Sequence, residues 1–243
     1  MRTLTFSVRT TKEILRDPLT LAFGLGFPLV LLLLLSAIQA NIPTSLFEIE
    51  NLAPGVIVFG LSFITLFSAT LISKDRTSAL LQRLYTTPMK PHDFILGYIL
   101  PLIPISMAQC VICFVAALIL GLKISVNILF CILLVVPISL FYISLGLLFG
   151  TLLSDKQVGG ICGALLTNLS AWLSGTWFDL NLVGGAFQKI AYVLPFVHAV
   201  EMEKATLQGN FSGFAEDFIY VAAYTIVMLA LSIWVFTRQM KKN

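Results

Sequence analysis

Six stretches without a single Asp, Glu, Lys or Arg constrain this chain more than any motif it carries. Leu19–Gln39, Leu52–Ser73, Phe94–Leu122, Val126–Leu153, Val158–Phe178 and Phe218–Thr237 each run for 20 residues or more. A helix of about 20 apolar residues crosses the roughly 30 Å hydrocarbon core of a bilayer. Backbone groups in lipid must pair internally, and unbroken apolar runs suit helices rather than the alternating pattern of a barrel. Only 11% of the 243 residues are charged, against about a quarter in an average soluble domain. The expected fold is therefore an all-α integral membrane protein with six transmembrane helices. The first run is longer than a signal-peptide core and follows a long polar segment, so it is expected to stay as a membrane span.

Basic residues set the expected orientation. Arg2, Arg9, Lys12, Arg16, Lys74, Arg76, Arg83, Lys90, Lys156, Arg238, Lys241 and Lys242 fall on one side of a six-span topology, and only Lys123, Lys189 and Lys204 on the other. The positive-inside rule then places both termini in the cytoplasm of a multi-pass protein of the cell membrane. Asn181–Val200 is apolar enough to suggest a further span, but Lys189, Pro195 and His198 interrupt it. The whole segment 179–217 reads instead as external and re-entrant, two short helices breaking near Pro195, serving either as a gate or as a cap. Within it, Lys204 is placed to pair with Glu201 one turn earlier.

Residues 1–18 form a separate unit, in which Leu4, Val8, Thr11 and Leu15 share one helical stripe while Arg9, Lys12, Glu13 and Arg16 lie largely elsewhere. That pattern predicts an amphipathic helix in the membrane interface, in contact with lipid head groups, or a plain positive-inside anchor. Pro18 ends it. Pro101, Pro104 and Pro137 predict kinks in the third and fourth spans. The pairs Gly146 with Gly150 and Gly159 with Gly163 predict close helix contacts. Trp172 and Trp177 fit an aromatic belt or a substrate contact.

The polar residues exclude several functions. With no ionisable group in any span, an ion- or proton-coupled pump has no obvious relay. No G-x-x-x-x-G-K-[ST] loop occurs, so any energy from a nucleotide comes from another chain. His92 and His198 are the only histidines and fall on opposite sides of the expected membrane, which predicts no catalytic set and no metal cluster. Cys110, Cys113, Cys131 and Cys162 all lie within spans and read as ordinary buried thiols, despite the C-x-x-C spacing of the first two. No nucleic-acid partner is indicated.

Between the second and third spans, the loop 74–93 carries "KDRTSALLQRLYTTPMKPHD". Thr77 or Ser78 can cap a short helix on which Leu80, Leu81, Leu84 and Tyr85 share a side, before Thr86, Thr87 and Pro88 stop it. A helix that short is marginal in water unless its apolar face is covered, either by the membrane surface or by a groove on a cytoplasmic partner.

In three places the chain resembles the permease subunits of type-2 ATP-binding-cassette (ABC) exporters. The first is "KDRTSALLQRLYTTPMKPHDFILGY", with an acidic residue and an arginine, a leucine-bearing helix and Thr-Pro; the second is "LSGTWF" at Leu173–Phe178; the third is "LPFVHAVEMEKATLQG" after it. The chain departs from the family in having Asp75-Arg76-Thr77 and Ser78 where Glu-Arg-Glu and Gly are frequent, Asp179 where proline is common, and Lys204 in place of arginine. The resemblance implies ATPase-coupling roles for Asp75, Arg76, Leu80, Leu81, Leu84, Tyr85, Thr87 and Pro88, and an external gate at Ser174, Gly175, Pro195, His198 and Lys204. It further implies two copies of a separate ABC ATPase that bind ATP and Mg, a second permease copy or paralogue, and no catalytic group or cofactor in this chain. The implied function is outward movement of an amphipathic or hydrophobic cargo, such as a drug, an antimicrobial peptide or a lipid-like molecule. Export of a lipid-linked polysaccharide, or a membrane scaffold without transport, are the alternatives.

Overall fold

The computed structural model describes residues 2–41, 47–78, 80 and 89–240. All regular structure among them is helical. Helix α1 (Arg2–Leu15) precedes α2 (18–39), in which Pro18–Leu21 and Phe27–Gln39 are joined by a π-helical turn at Ala22–Gly26. Then come α3 (Ile49–Thr77), α4 (Pro91–Ile119) and α5 (Asn127–Leu152). The next, α6 (155–173), is divided into Asp155–Val158, a π-helical stretch Gly159–Leu166 and Thr167–Leu173. Three short helices follow, α7 (Leu180–Val183), α8 (Gly185–Val193) and α9 (Pro195–Gln208), and α10 (Phe214–Met240) closes the chain.

Five helical stretches among the described residues are long and apolar enough to cross a membrane: 22–39, α3, α4, α5 and α10. The fifth expected span, Val158–Phe178, is helical only as far as Leu173 and contains the π-helical stretch, so it is not one uninterrupted α-helix. Segment 181–200 is not one continuous helix either; it breaks into α8 and α9 at Leu194, where Pro195 takes the first helical position, a place at which its missing N–H costs nothing.

Helix α3 is the axis of the bundle. Of its most apolar window 89% is buried, against 11% for α10 and 17% for α2, so those two present their apolar faces outward. The hydrophobic effect contributes little between helices in lipid, and close backbone approach takes over. A Cβ on Gly146 would stand 2.7 Å from the Thr65 carbonyl oxygen, and one on Gly150 would stand 2.7 Å from that of Ala69. Those two glycines let α5 lie against α3. Gly159 and Gly163 do not repeat the pattern: a Cβ on Gly159 meets nothing within 4 Å, and one on Gly163 meets only the end of Leu66. The expected second close contact is therefore absent within the described chain, because this part of α6 is turned outward.

Helix α1 has two apolar stripes rather than one. Leu4, Val8 and Leu15 are 64%, 53% and 58% exposed, whereas Phe6, Thr10 and Ile14 are buried. The stripe legible in the sequence faces away from the protein, as an interface helix requires. The other docks on α4, where Phe6 fills the space over Gly97 and meets Phe94 and Tyr98 edge-on at 5.6 and 5.0 Å.

Candidate functional site

Two places gather the residues that the sequence singled out, one at each end of α3. At its C-terminal end, Asp75 is 2% exposed and its carboxylate is fully engaged. Arg9 Nη1 and Nη2 donate to the two oxygens at 2.6 and 2.7 Å, and Tyr98 Oη donates at 2.8 Å. Arg9 also pairs with Glu13 at 2.6 Å, one turn along α1. The forked guanidinium matches a carboxylate in its plane, a geometry that ammonium cannot reproduce. The hydrogen bonds that Arg9 donates to Asp75 are the main cause that raises the Arg9 pKa, against the opposing effect of burial.

Arg76 turns the other way. Its guanidinium donates to the main-chain carbonyls of Thr151 and Leu153, the latter at 2.5 Å, and reaches Gln239 of α10 at 3.5 Å. The end of a helix leaves carbonyls unpaired and partly negative, so a cation there satisfies both needs. Ser73 Oγ adds a bond to Asp155 at 3.2 Å. Three residues near one helix end thus tie α3 to α1, α4, α5, α6 and α10. On the far side of the loop, Asp93 accepts from the Lys90 N–H at 2.9 Å and from Thr3 Oγ1 at 2.5 Å, which closes the first turn of α4 and holds α1 to it. Leu80 is helical; Leu81, Leu84, Tyr85, Thr87 and Pro88 lie outside the described residues. The side chains of Asp75 and Arg76 are turned into the chain.

At the opposite end, a cavity of ≈ 250 Å³ is lined by Ser174, Gly175, Asp179, Tyr192, Glu201 and Lys204, among others. Local chemistry explains its walls. Gly175 has φ +69°, a left-handed turn that favours glycine. Ser174 and Thr176 share a hydrogen bond at 2.7 Å, and Thr176 sits over Gly55, where a Cβ would come within 2.6 Å of it. The "LSGTWF" turn is thereby seated on α3. Helix α9 starts at Pro195 and ends at Gly209 in the left-handed conformation.

Ser174, Gly175 and Lys204 of the expected gate share this cavity; Pro195 and His198 stand behind it on α9. Burial lowers the Lys204 pKa, against the pull of Glu201 and Asp179. The expected Glu201–Lys204 pairing is not found: no direct ion pair joins them among the described residues, and Glu201 accepts from Tyr192 Oη at 3.0 Å instead. Burial raises the Glu201 pKa, and that hydrogen bond offsets part of the effect.

His198 is buried, with Nδ1 at 2.7 Å from Asp217 Oδ1 and Nε2 at 2.9 Å from the Tyr192 carbonyl oxygen. Its ring stacks on Tyr220 at 4.2 Å and 11°. Burial alone would lower its pKa, but Asp217, the Tyr192 carbonyl and the Glu201 charge outweigh that and raise it. The expectation that no metal-type cluster assembles requires correction: His198, Glu201 and Asp217 each offer a ligating atom within 4.8 Å of the others. His198 and Glu201, three apart on α9, were legible as neighbours on one helical face; Asp217 comes from the next helix and was not.

Glu203 was missed altogether. It has no exposure, its two carboxyl oxygens find no hydrogen-bond partner among the described residues, and burial raises its pKa to about 8. The Cys131 thiol donates to its main-chain carbonyl at 3.7 Å. A carboxyl buried without a partner takes a proton rather than remain charged. The four cysteines are all buried and free.

Residues 1–207 match the family model of the ABC-2 type transporter, and the chain belongs to that family. It is a non-catalytic, multi-pass permease component of an ABC transporter, and such a component works with an ABC ATPase. Comparison with curated proteins returns no match.

Proposed function

We propose that this permease moves an amphipathic or hydrophobic cargo outward across the cell membrane, driven by two copies of a separate ATPase that bind ATP and Mg. In this reading the chain makes six spans, with α6 as the fifth, and both termini face the cytoplasm. It pairs with a second permease, identical or paralogous. The loop 74–93 docks on the ATPase through Leu80, Leu81, Leu84 and Tyr85, with Thr87 and Pro88 ending the docking helix. The carrying observation is the junction at the end of α3, where Asp75 and Arg76 bind α1, α4, α5 and α10 a few residues before the docking leucines of that loop. Asp75 and Arg76 then act as the transmission rather than as contacts with the ATPase. A displacement of the loop reaches several spans together, as a switch between two packed arrangements requires. The segment 179–217 serves as the outer gate, with Ser174, Gly175 and Lys204 on its cavity and Pro195 and His198 holding α9 in place.

The test is reconstitution of permease and ATPase in inverted vesicles, with ATP-dependent uptake of a lipophilic fluorescent dye as the readout. Asp75→Ala is expected to leave the ATPase bound while uptake falls at least tenfold. Uptake unchanged in a stably folded Asp75→Ala protein would remove the transmission role.

A further inference from the structure

We propose that His198, Glu201 and Asp217 bind one divalent transition-metal ion of the zinc class, which fastens α9 to the first turn of α10. The ligand atoms come from two helices and already lie within 4.8 Å of one another. Around a tetrahedral zinc ion with bonds of about 2.0–2.1 Å, ligand atoms stand roughly 3.3 Å apart. The His198–Asp217 separation of 2.7 Å therefore has to widen by less than about 1 Å, and Glu201 has to close by a small side-chain movement.

The surroundings hold the ligands in the orientation that a metal needs. A metal-binding imidazole generally gives its other N–H to a carbonyl or carboxylate, which fixes the tautomer and aims the free nitrogen at the ion. Here Nε2 is held by the Tyr192 carbonyl oxygen at 2.9 Å, leaving Nδ1 toward the two carboxylates. Tyr192 also holds Glu201 by its hydroxyl at 3.0 Å, so one residue of α8 positions two of the three ligands. The Tyr220 ring, 4.2 Å from the imidazole and nearly parallel to it, fixes its plane.

Charge balance agrees. Two carboxylates and a neutral imidazole carry two negative charges in a largely buried place, and a divalent ion cancels them. When the metal–Nδ1 bond forms, the Nδ1 proton leaves for water. Lys204 lines the adjoining cavity with Glu201 and opposes a cation; burial lowers its pKa, so it gives up its proton more readily than an exposed lysine. Three protein ligands leave a fourth position for water. The site requires nothing of the cargo, and it stands or falls independently of the transport reading.

The experiment uses the full-length permease in detergent, carrying a tag without histidines and stripped with EDTA. ZnCl2 is titrated by calorimetry, and CoCl2 by visible absorption. The expected result is one saturable Zn²⁺ per chain, a tetrahedral Co²⁺ spectrum, and a rise in melting temperature. His198→Gln and Asp217→Asn should each weaken Zn²⁺ binding at least tenfold, with Glu201→Gln as a further variant if either fails to fold. Replacing all four cysteines by Ser should leave binding unchanged. Absence of saturable Zn²⁺ binding by the unaltered protein overturns the proposal. So does binding that survives in the folded ligand variants or disappears with the cysteines.

Discussion

Single residues carry the chemistry that a membrane interior makes costly. Asp75 is buried yet meets Arg9 and Tyr98 through its two oxygens, whereas the buried carboxyl of Glu203 has no hydrogen-bond partner among the described residues. They predict opposite outcomes. Asp75→Ala removes the acceptor that Arg9 and Tyr98 share, leaving Glu13 beside Arg9, and should cost about 3 kcal/mol, as breakage of a buried pair does. Arg9 is partly exposed, and rehydration holds the cost near the lower end of that range. The check is thermal unfolding in detergent, where Asp75→Asn, which retains the Tyr98 bond, should lie between the two. Glu203 holds its proton up to about pH 8 when folded, against a reference value of 4.5. The folded state therefore binds the extra proton between those values. Its stability is full below pH 4.5 and drains as pH rises to about 8, by about 1.4 kcal/mol per pH unit. Glu203→Gln should raise the melting temperature at pH 8 and change it little at pH 4.5. An equal change at both pH values would show that ionisation of this carboxyl is not the cause.

At the scale of elements, the apolar runs marked most helices, because a continuous stretch of lipid-compatible residues has few other ways to satisfy its backbone. The breaks were harder to read. Nothing in Gly159–Leu166 announces a π-helical stretch, since it differs from an α-helix by one residue per turn and keeps the composition. On α1 the outward-facing stripe stood out through Leu4, Val8 and Leu15. The docking stripe contains Ser7 and Thr10 and was hidden by its own polarity. The paired glycines give a direct test of helix packing. Gly150→Ala meets the carbonyl oxygen and Cα of Ala69 at 2.7 and 2.8 Å, backbone that has no rotamer to change. It should cost about 1–3 kcal/mol, as overpacking does. Gly159→Ala meets nothing within 4 Å, and its helical backbone suits alanine better than glycine, so it should unfold at or slightly above the temperature of the unaltered protein. If the two variants melt together, the contact between α3 and α5 is looser than the geometry states.

At the scale of the whole molecule, the two ends of α3 hold different kinds of site. One is a charged junction beside a basic loop, and the other is a polar cavity under short helices. The junction was half legible: Asp75 and Arg76 stood out in the loop motif, but Arg9 lies 66 residues away in sequence and only tertiary contact finds it. The cavity was legible through Ser174, Gly175 and Lys204 and illegible through Tyr192, whose carbonyl and hydroxyl organise the cluster behind it. In the proposed reading the ATPase docks at the loop adjoining this junction. The most direct measurement is gentle purification of the tagged chain from its own membranes, identification of what accompanies it, and assay of ATP turnover. The account predicts an ABC ATPase with a phosphate-binding loop, recovered in equal ratio and hydrolysing ATP. It also predicts loss of that subunit from Leu81→Asp/Leu84→Asp, because two carboxylates in an apolar groove cost several kcal/mol. Recovery of the intact chain without any ATPase, or an ATPase that binds the double variant as well as the unaltered chain, would contradict it.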